Sequence, residues 1–442
     1  MIGVIFITLK NKLFGLTAYS FIDTVLLRFF GVISFIIIVR LLDRSDIGII
    51  GVATGYLVFF NFLALAPETI LLRDYPKVKD RINQYISSFM IFWFIRSFIM
   101  IVLAGIIAFF LYHQFENRIV PIYFIGATVL FNMGMFQSLI TELFYVSFRQ
   151  KIVMTMHIVL SLFATGLVFL LFFKPTLMFY LFLSFISTFV GLVTWYYLLK
   201  RYFAFKFIYA KDSLKIVKNS IKDFALWQHF NGTITYLIYR IDTVILSFFV
   251  TLTIIGDYTI ALGIANFFFL VPQIVQKTAM VGLSNINTKT EEGLFMSIVL
   301  KYSFILGIVQ LLLFILFGKW IIQTLFTSEH VEQIFLYTVL ITCGVTILNF
   351  MRPVMSLIAS KCSLKEGFFQ VYLPAGIMAL VGYIILTYFY GPVGTAIGNI
   401  VGYSVFALLQ YSFINKKYPL HFKFELITAE EKEMFKNLLS RL

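Results

Sequence analysis

Ionisable side chains sit inside long apolar runs, and through them this chain can do chemistry. The basic ones are Arg28, Arg96, Arg240, Lys277, Lys301 and Arg352; the acidic ones are Asp23, Glu68, Glu142 and Asp242. A charge at bilayer depth costs at least roughly 2.5–3.5 kcal/mol, so its presence marks a ligand path or an ion relay by default. Glu68, Glu142 and Lys301 lie near the ends of their runs, where long side chains reach the headgroups. Arg352 and Lys277 lie about two turns in, while Asp23, Arg28, Arg96, Arg240 and Asp242 are deeper. Asp23 and Arg28 are five residues apart and Arg240 and Asp242 two, which on a helix separates each pair by about 140° and 200°. Their partners must come from other helices, from water or from a ligand; a structural salt bridge between helices is the plainer alternative.

Polar residues recur with these charges at helical spacing. His229, Thr233, Tyr236 and Arg240 form one stripe; Asn266, Gln273, Lys277 and Ser284 form a second; Asn349, Arg352 and Ser356 a third; Thr17, Thr24 and Arg28 a fourth. Such stripes line a water-filled cavity or make helix–helix hydrogen bonds. Stripes ending in cations favour a cavity for an anion, because Arg offers bidentate phosphate geometry and Lys a point charge. Pro67, Pro272 and Pro353 lie in or near the ends of these helices, where each removes a backbone hydrogen bond and introduces a kink.

The elements that position these residues are membrane spans. Of 442 residues, 60% are apolar and 13% charged, with 54 Phe and 24 Tyr. A soluble fold could not cover so much apolar surface, and a disordered chain, a coiled coil or a nucleic-acid-binding domain does not have this composition. Runs long enough to cross the hydrocarbon core fall near 13–39, 47–72, 85–112, 120–146, 153–173, 177–199, 224–250, 258–285, 295–317, 332–359, 366–389 and 393–415. Their length and continuity predict helices and not barrel strands. The first run lacks a cleavage site and reads as a retained span. Alternate loops hold 24 Lys and Arg on one side against 5 on the other, which predicts that both termini are cytoplasmic.

The expectation is an all-α polytopic membrane protein of twelve transmembrane helices in two six-helix lobes. Residues 1–199 form the first lobe, 200–223 a basic cytoplasmic linker, 224–415 the second lobe and 416–442 a tail on the anionic leaflet. An internal echo supports the halves. Asp46-Ile47-Gly48-Ile49 with Ala53 answers Ile254-Ile255-Gly256-Asp257 with Ala261, the glycines lying 208 residues apart. Six spans per half makes the repeats parallel, with pseudo-two-fold symmetry about the membrane normal. Arg28 and Arg240 then stand at near-equivalent depth, facing a shared interface. No Walker-type loop, nucleophile elbow or zinc motif occurs, the five histidines are scattered, and no outward loop is long enough for a catalytic domain. An enzyme is the poorer reading. Cys343 and Cys362 read as free thiols.

Three segments carry a family likeness: Phe35 to Gly55 (FIIIVRLLDRSDIGIIGVATG), Tyr239 to Ala265 (YRIDTVILSFFVTLTIIGDYTIALGIA) and Gly391 to Lys417 (GPVGTAIGNIVGYSVFALLQYSFINKK). With the span count, they resemble the polysaccharide, or O-antigen-type, flippases of the multidrug/oligosaccharidyl-lipid/polysaccharide (MOP) exporter superfamily. Twelve spans match these flippases better than the lipid II flippases, which usually have fourteen. Asp43-Arg44-Ser45 departs from the glycine usual at that turn.

The resemblance implies two lobes in a V around a central cationic cavity, working by alternating access in a bacterial inner membrane. The substrate would be an undecaprenyl-pyrophosphate oligosaccharide carried to the outer leaflet for O-antigen, capsule or exopolysaccharide. Arg28, Arg240 and Lys277 match by span the residues that hold the anionic headgroup, and Arg352 and Arg96 join them as candidates. His229, Thr233, Tyr236, Asn266 and Gln273 are the candidate polar lining. No cofactor or metal is expected. With no nucleotide site, transport must draw on a H+ or Na+ gradient, with Asp23, Asp242 and Glu142 as candidate coupling groups. Glycosyltransferases and a polymerase of the same pathway are candidate partners, and nucleic acid is not. The alternatives are a multidrug or metabolite antiporter of the same superfamily and, less well supported, a membrane glycan polymerase or ligase.

Overall fold

The computed structural model describes residues 2–64, 67–220, 226–270, 272–273, 275–276, 288–418 and 420. Among the described residues the secondary structure is helical. The long helices are α1 (Ile2–Leu41), α2 (Arg44–Tyr56), α3 (Ile82–Phe115), α4 (Ile119–Val146), α5 (Gln150–Phe169), α6 (Leu177–Phe203), α7 (Leu226–Ser247), α8 (Leu252–Ala265), α9 (Lys289–Ile321), α10 (Val331–Lys361) and α11 (Leu373–Asn415).

Ten helical stretches among these residues are long and apolar enough to cross a membrane. Two facts reconcile ten with the expected twelve. The stretch Leu364–Asn415 is 52 residues long, about 78 Å at 1.5 Å per residue, far more than one crossing needs. It folds back at Gly391, whose φ of 55° a side chain would oppose. Across that bend Thr387 Oγ1 meets Thr395 Oγ1 at 2.9 Å and Tyr383 Oη donates to Asn399 Oδ1 at 3.0 Å, so its two arms are antiparallel. The twelfth span is α7, whose 22 residues include His229, Arg240 and Asp242 and are too polar to register by composition.

In the first half α1 packs on α5, α3 on α4, and α4 on α6; in the second, α10 packs on α9, α8 and α11, and α7 on α11. The halves meet through α2 against α8 and α7. Here the 208-residue echo becomes geometry. A Cβ on Gly48 would lie 2.0 Å from the carbonyl oxygen of Leu252, and one on Gly256 would lie 2.0 Å from that of Arg44. Both contacts are the same contact shifted by 208 residues, as a two-fold relation between the halves requires. The repeat extends to how the helices end. Leu57–Phe60 after α2 and Asn266–Phe269 after α8 both tighten into 3-10 turns, a local change that mid-span often marks a hinge.

Candidate functional site

Arg28 of α1, Tyr236, Tyr239 and Arg240 of α7, and Arg352 of α10 line a cavity of about 210 Å³ between the halves. Asn266 and Gln273, which follow α8, complete its polar wall. Of the described lining residues Arg28 alone comes from the first half, and its Nη2 donates to Gln273 Oε1 at 3.1 Å. Arg352 donates from Nε to Gln276 Oε1 at 2.8 Å and lies 5.1 Å over the Phe269 ring. Three guanidiniums thus converge on one small space with glutamine amides beside them. Such a set is suited to an anion with several oxygens.

The sequence-derived candidates divide. The structure brings together Arg28, Arg240, Arg352, Tyr236, Asn266 and Gln273. His229 and Thr233 share the α7 stripe but lie nearer the start of the helix, where the chain after α2 covers it. His229 Nε2 lies 2.9 Å from the carbonyl of Phe62, and Thr233 Oγ1 donates to that of Asn61 at 3.4 Å. One helical face meets two environments here because seven residues carry it roughly 10 Å along its axis. Arg96 is half-buried on α3 and does not line this cavity. Lys277, Ser284 and the tail beyond 420 lie outside the described residues.

The carboxylates occupy different places. Asp242 is fully buried in the second half. It accepts from Tyr258 Oη at 2.8 Å, Asn399 Nδ2 at 3.2 Å and the Thr243 backbone N–H at 2.7 Å. These donors satisfy it without Arg240. Asp23 is held between helices of the first half, accepting from Tyr145 Oη at 2.8 Å and lying 2.9 Å from His157 Nδ1. Tyr145, His157 and Glu142 line a separate, open cavity of about 450 Å³ bordered by α4, α5 and α6.

A cluster missed at the level of sequence closes one end of the interface. Arg44, at the start of α2, is ion-paired with Asp257 of α8 and donates to Thr327 Oγ1 at 2.8 Å and the Glu329 carbonyl at 2.9 Å. His330 Nδ1 lies 2.7 Å from the other Asp257 oxygen. Arg40 donates to the carbonyls of Thr324 and Leu325. This end carries the α1–α2 and α7–α8 turns, which the Lys and Arg bias assigns to the outside. The atypical Asp43-Arg44-Ser45 turn is therefore one half of a clasp between the lobes. Its signal was the departure from glycine, with Asp257 beside the repeat glycine as its counterpart.

Known structures similar to this chain are transporters. A lipid II flippase, MurJ, in an inward closed conformation gives a TM-score of 0.68 at 14% identity, covering 90% of this chain and 87% of that one. An inward-facing multidrug resistance MATE family transporter of the MOP superfamily gives 0.69 at 12% identity, covering 91% and 94%. An outward-facing MATE family structure gives 0.58 at 13% identity, covering 92% and 96%. Neither a protein-family model nor a curated protein matches the sequence. The chain has the fold of the MOP superfamily, two six-helix lobes meeting around a central cleft.

Proposed function

We propose that this protein flips a polyprenyl-pyrophosphate-linked oligosaccharide across a bacterial inner membrane, for assembly of a surface polysaccharide. The observation that carries this reading is the convergence of Arg28, Arg240 and Arg352 on one cavity between the lobes. Three charges held at bilayer depth carry an insertion cost that a structural role does not repay, and a pyrophosphate offsets it by accepting from all three. The lipid tail stays in the bilayer between the lobes. Closure of the outer end by Arg44 and Asp257 is the inward-open half of an alternating-access cycle, and loading occurs from the cytoplasmic side.

Lys277, four residues after Gln273 in the sequence, is a further candidate for the anionic headgroup. Transport draws on a cation gradient. Asp23 is the first candidate for coupling, because His157 and Tyr145 connect it to the cavity within the first half. Asp242, sealed by its own donors, and Glu142 follow. Enzymes that build and polymerise the glycan are the natural partners.

One observation favours a second reading. Among the described residues the 450 Å³ cavity is lined by Glu142 and His157 and by no Lys or Arg, as a cation antiporter would need. Purified protein in liposomes separates the two. Flipping of a fluorescent polyprenyl-pyrophosphate oligosaccharide is expected; gradient-driven efflux of organic cations without lipid flipping would put the antiporter first.

A further inference from the structure

The cationic cavity is too small for the whole of such a substrate. At about 210 Å³ it lies below the roughly 300–1,000 Å³ of ordinary small-molecule sites. It has room for a compact anionic headgroup, and the sugars must sit elsewhere.

The open cavity bordered by α4, α5 and α6 has the room and the chemistry. Its volume is about 450 Å³, and nine of its fourteen lining residues are polar. Inside a membrane lobe that density of polar side chains requires a hydrated space or a polar ligand. Gln137, Ser138, Thr141, Glu142 and Ser161 offer an amide, hydroxyls and a carboxylate, the mixture of donors and acceptors that sugar hydroxyls need. Gly134 faces open space, with no atom within 4 Å of where its Cβ would be. A pyrophosphate is unwelcome there: among the described residues the lining holds Glu142 and no Lys or Arg, and Asp23 bonds to Tyr145 and His157 of that lining.

Helix α1 touches both sites. Asp23 backs the polar one, and Arg28, five residues on, caps the cationic one. Their axial separation is about 7.5 Å at 1.5 Å per residue. The polar cavity lies towards the end that the charge bias assigns to the cytoplasm, where sugars trail a headgroup entering from that side.

We infer that the α4–α5–α6 cavity is the glycan subsite of the transporter. It takes neutral or amino-bearing sugars next to the pyrophosphate, and its carboxylates select against acidic ones. This rests on the flippase reading above. The test measures binding of two probes to purified full-length protein, a polyprenyl pyrophosphate alone and the same lipid carrying a neutral trisaccharide. The wild type should prefer the glycosylated lipid by about tenfold, the scale of one or two net hydrogen bonds. Glu142→Gln and the Ser138→Ala/Ser161→Ala pair should each bring that preference towards unity while leaving the bare lipid within about twofold. Arg28→Ala should weaken both probes alike.

A bare lipid bound through Arg28 with no glycan preference would overturn the subsite alone. A preference untouched by either cavity variant would do the same, as would tetraphenylphosphonium binding that Glu142→Gln abolishes with the lipid preference intact. Binding of neither lipid by the wild type would overturn the flippase reading and the subsite together.

Discussion

Neutralising Asp257 should release the clasp between the lobes. Its side chain is 7% exposed and that of Arg44 13%, so the ion pair is largely out of water. Asp257→Asn keeps the volume and removes the charge that faces both Arg44 and His330. Removing one partner of a buried pair costs about 3–5 kcal/mol. Here Arg44 keeps Thr327 Oγ1 and the Glu329 carbonyl, which lowers the figure to about 2–3 kcal/mol, or roughly a 30- to 140-fold shift towards the outward-open state. Thr259 faces Gly51 across the seam between the lobes, so Thr259→Cys in a Cys343→Ser/Cys362→Ser background reports opening. Its labelling by a membrane-impermeant maleimide, added outside, should accelerate by about that factor with Asp257→Asn. Arg44→Gln should act similarly, and the double variant should add little, because both break one interaction. An unchanged labelling rate would refute the clasp, and labelling only from the inside would reverse the assigned orientation.

Four further outcomes follow from the same geometry. Gly48→Ala and Gly256→Ala each put a methyl group 2.0 Å from a backbone oxygen of the other lobe, so both should lose transport and raise outside labelling at position 259; Gly105→Ala, with open space around it, should do neither. Asp242→Asn sets an amide against the hydroxyl of Tyr258 and should cost about 1–3 kcal/mol of stability, seen as a lowered midpoint of thermal unfolding in detergent. Asp23→Asn should leave folding intact and remove the gradient dependence of transport; unchanged gradient dependence would end its coupling role. Gly391→Ala, at a φ of 55°, should destabilise by about 1–2 kcal/mol without altering lipid specificity, measured by the same thermal unfolding and by lipid binding.

What was legible in the sequence was what periodicity and cost make visible. Long apolar runs located the spans, including α7 despite the charges it carries. The Gly48 and Gly256 echo was legible because a contact too close for a Cβ leaves glycine in both repeats. Arg28 and Arg240 stood out because guanidiniums at that depth are expensive. The partition of the α7 stripe was not legible: His229 and Arg240 share a face, and only the fold shows that the chain after α2 covers one end of it. The polar cavity was hidden for another reason. Ser138, Ser161 and Thr188 are each unremarkable in a membrane helix, and His157 meets an aspartate 134 residues away. The clasp was half visible, as an unexplained Arg44 in a turn where a glycine was expected.

The most direct test of the cationic cavity compares flipping of a polyprenyl-pyrophosphate oligosaccharide by wild type, Arg28→Ala, Arg240→Ala and Arg96→Ala in liposomes. Arg28 and Arg240 line the cavity and Arg96 does not. With all four proteins folded, the first two substitutions should each lower the rate by more than tenfold, since a charge-assisted hydrogen bond contributes about 1.5–3 kcal/mol, and Arg96→Ala should stay near wild type. Full activity in both Arg28→Ala and Arg240→Ala would contradict a pyrophosphate site between the lobes.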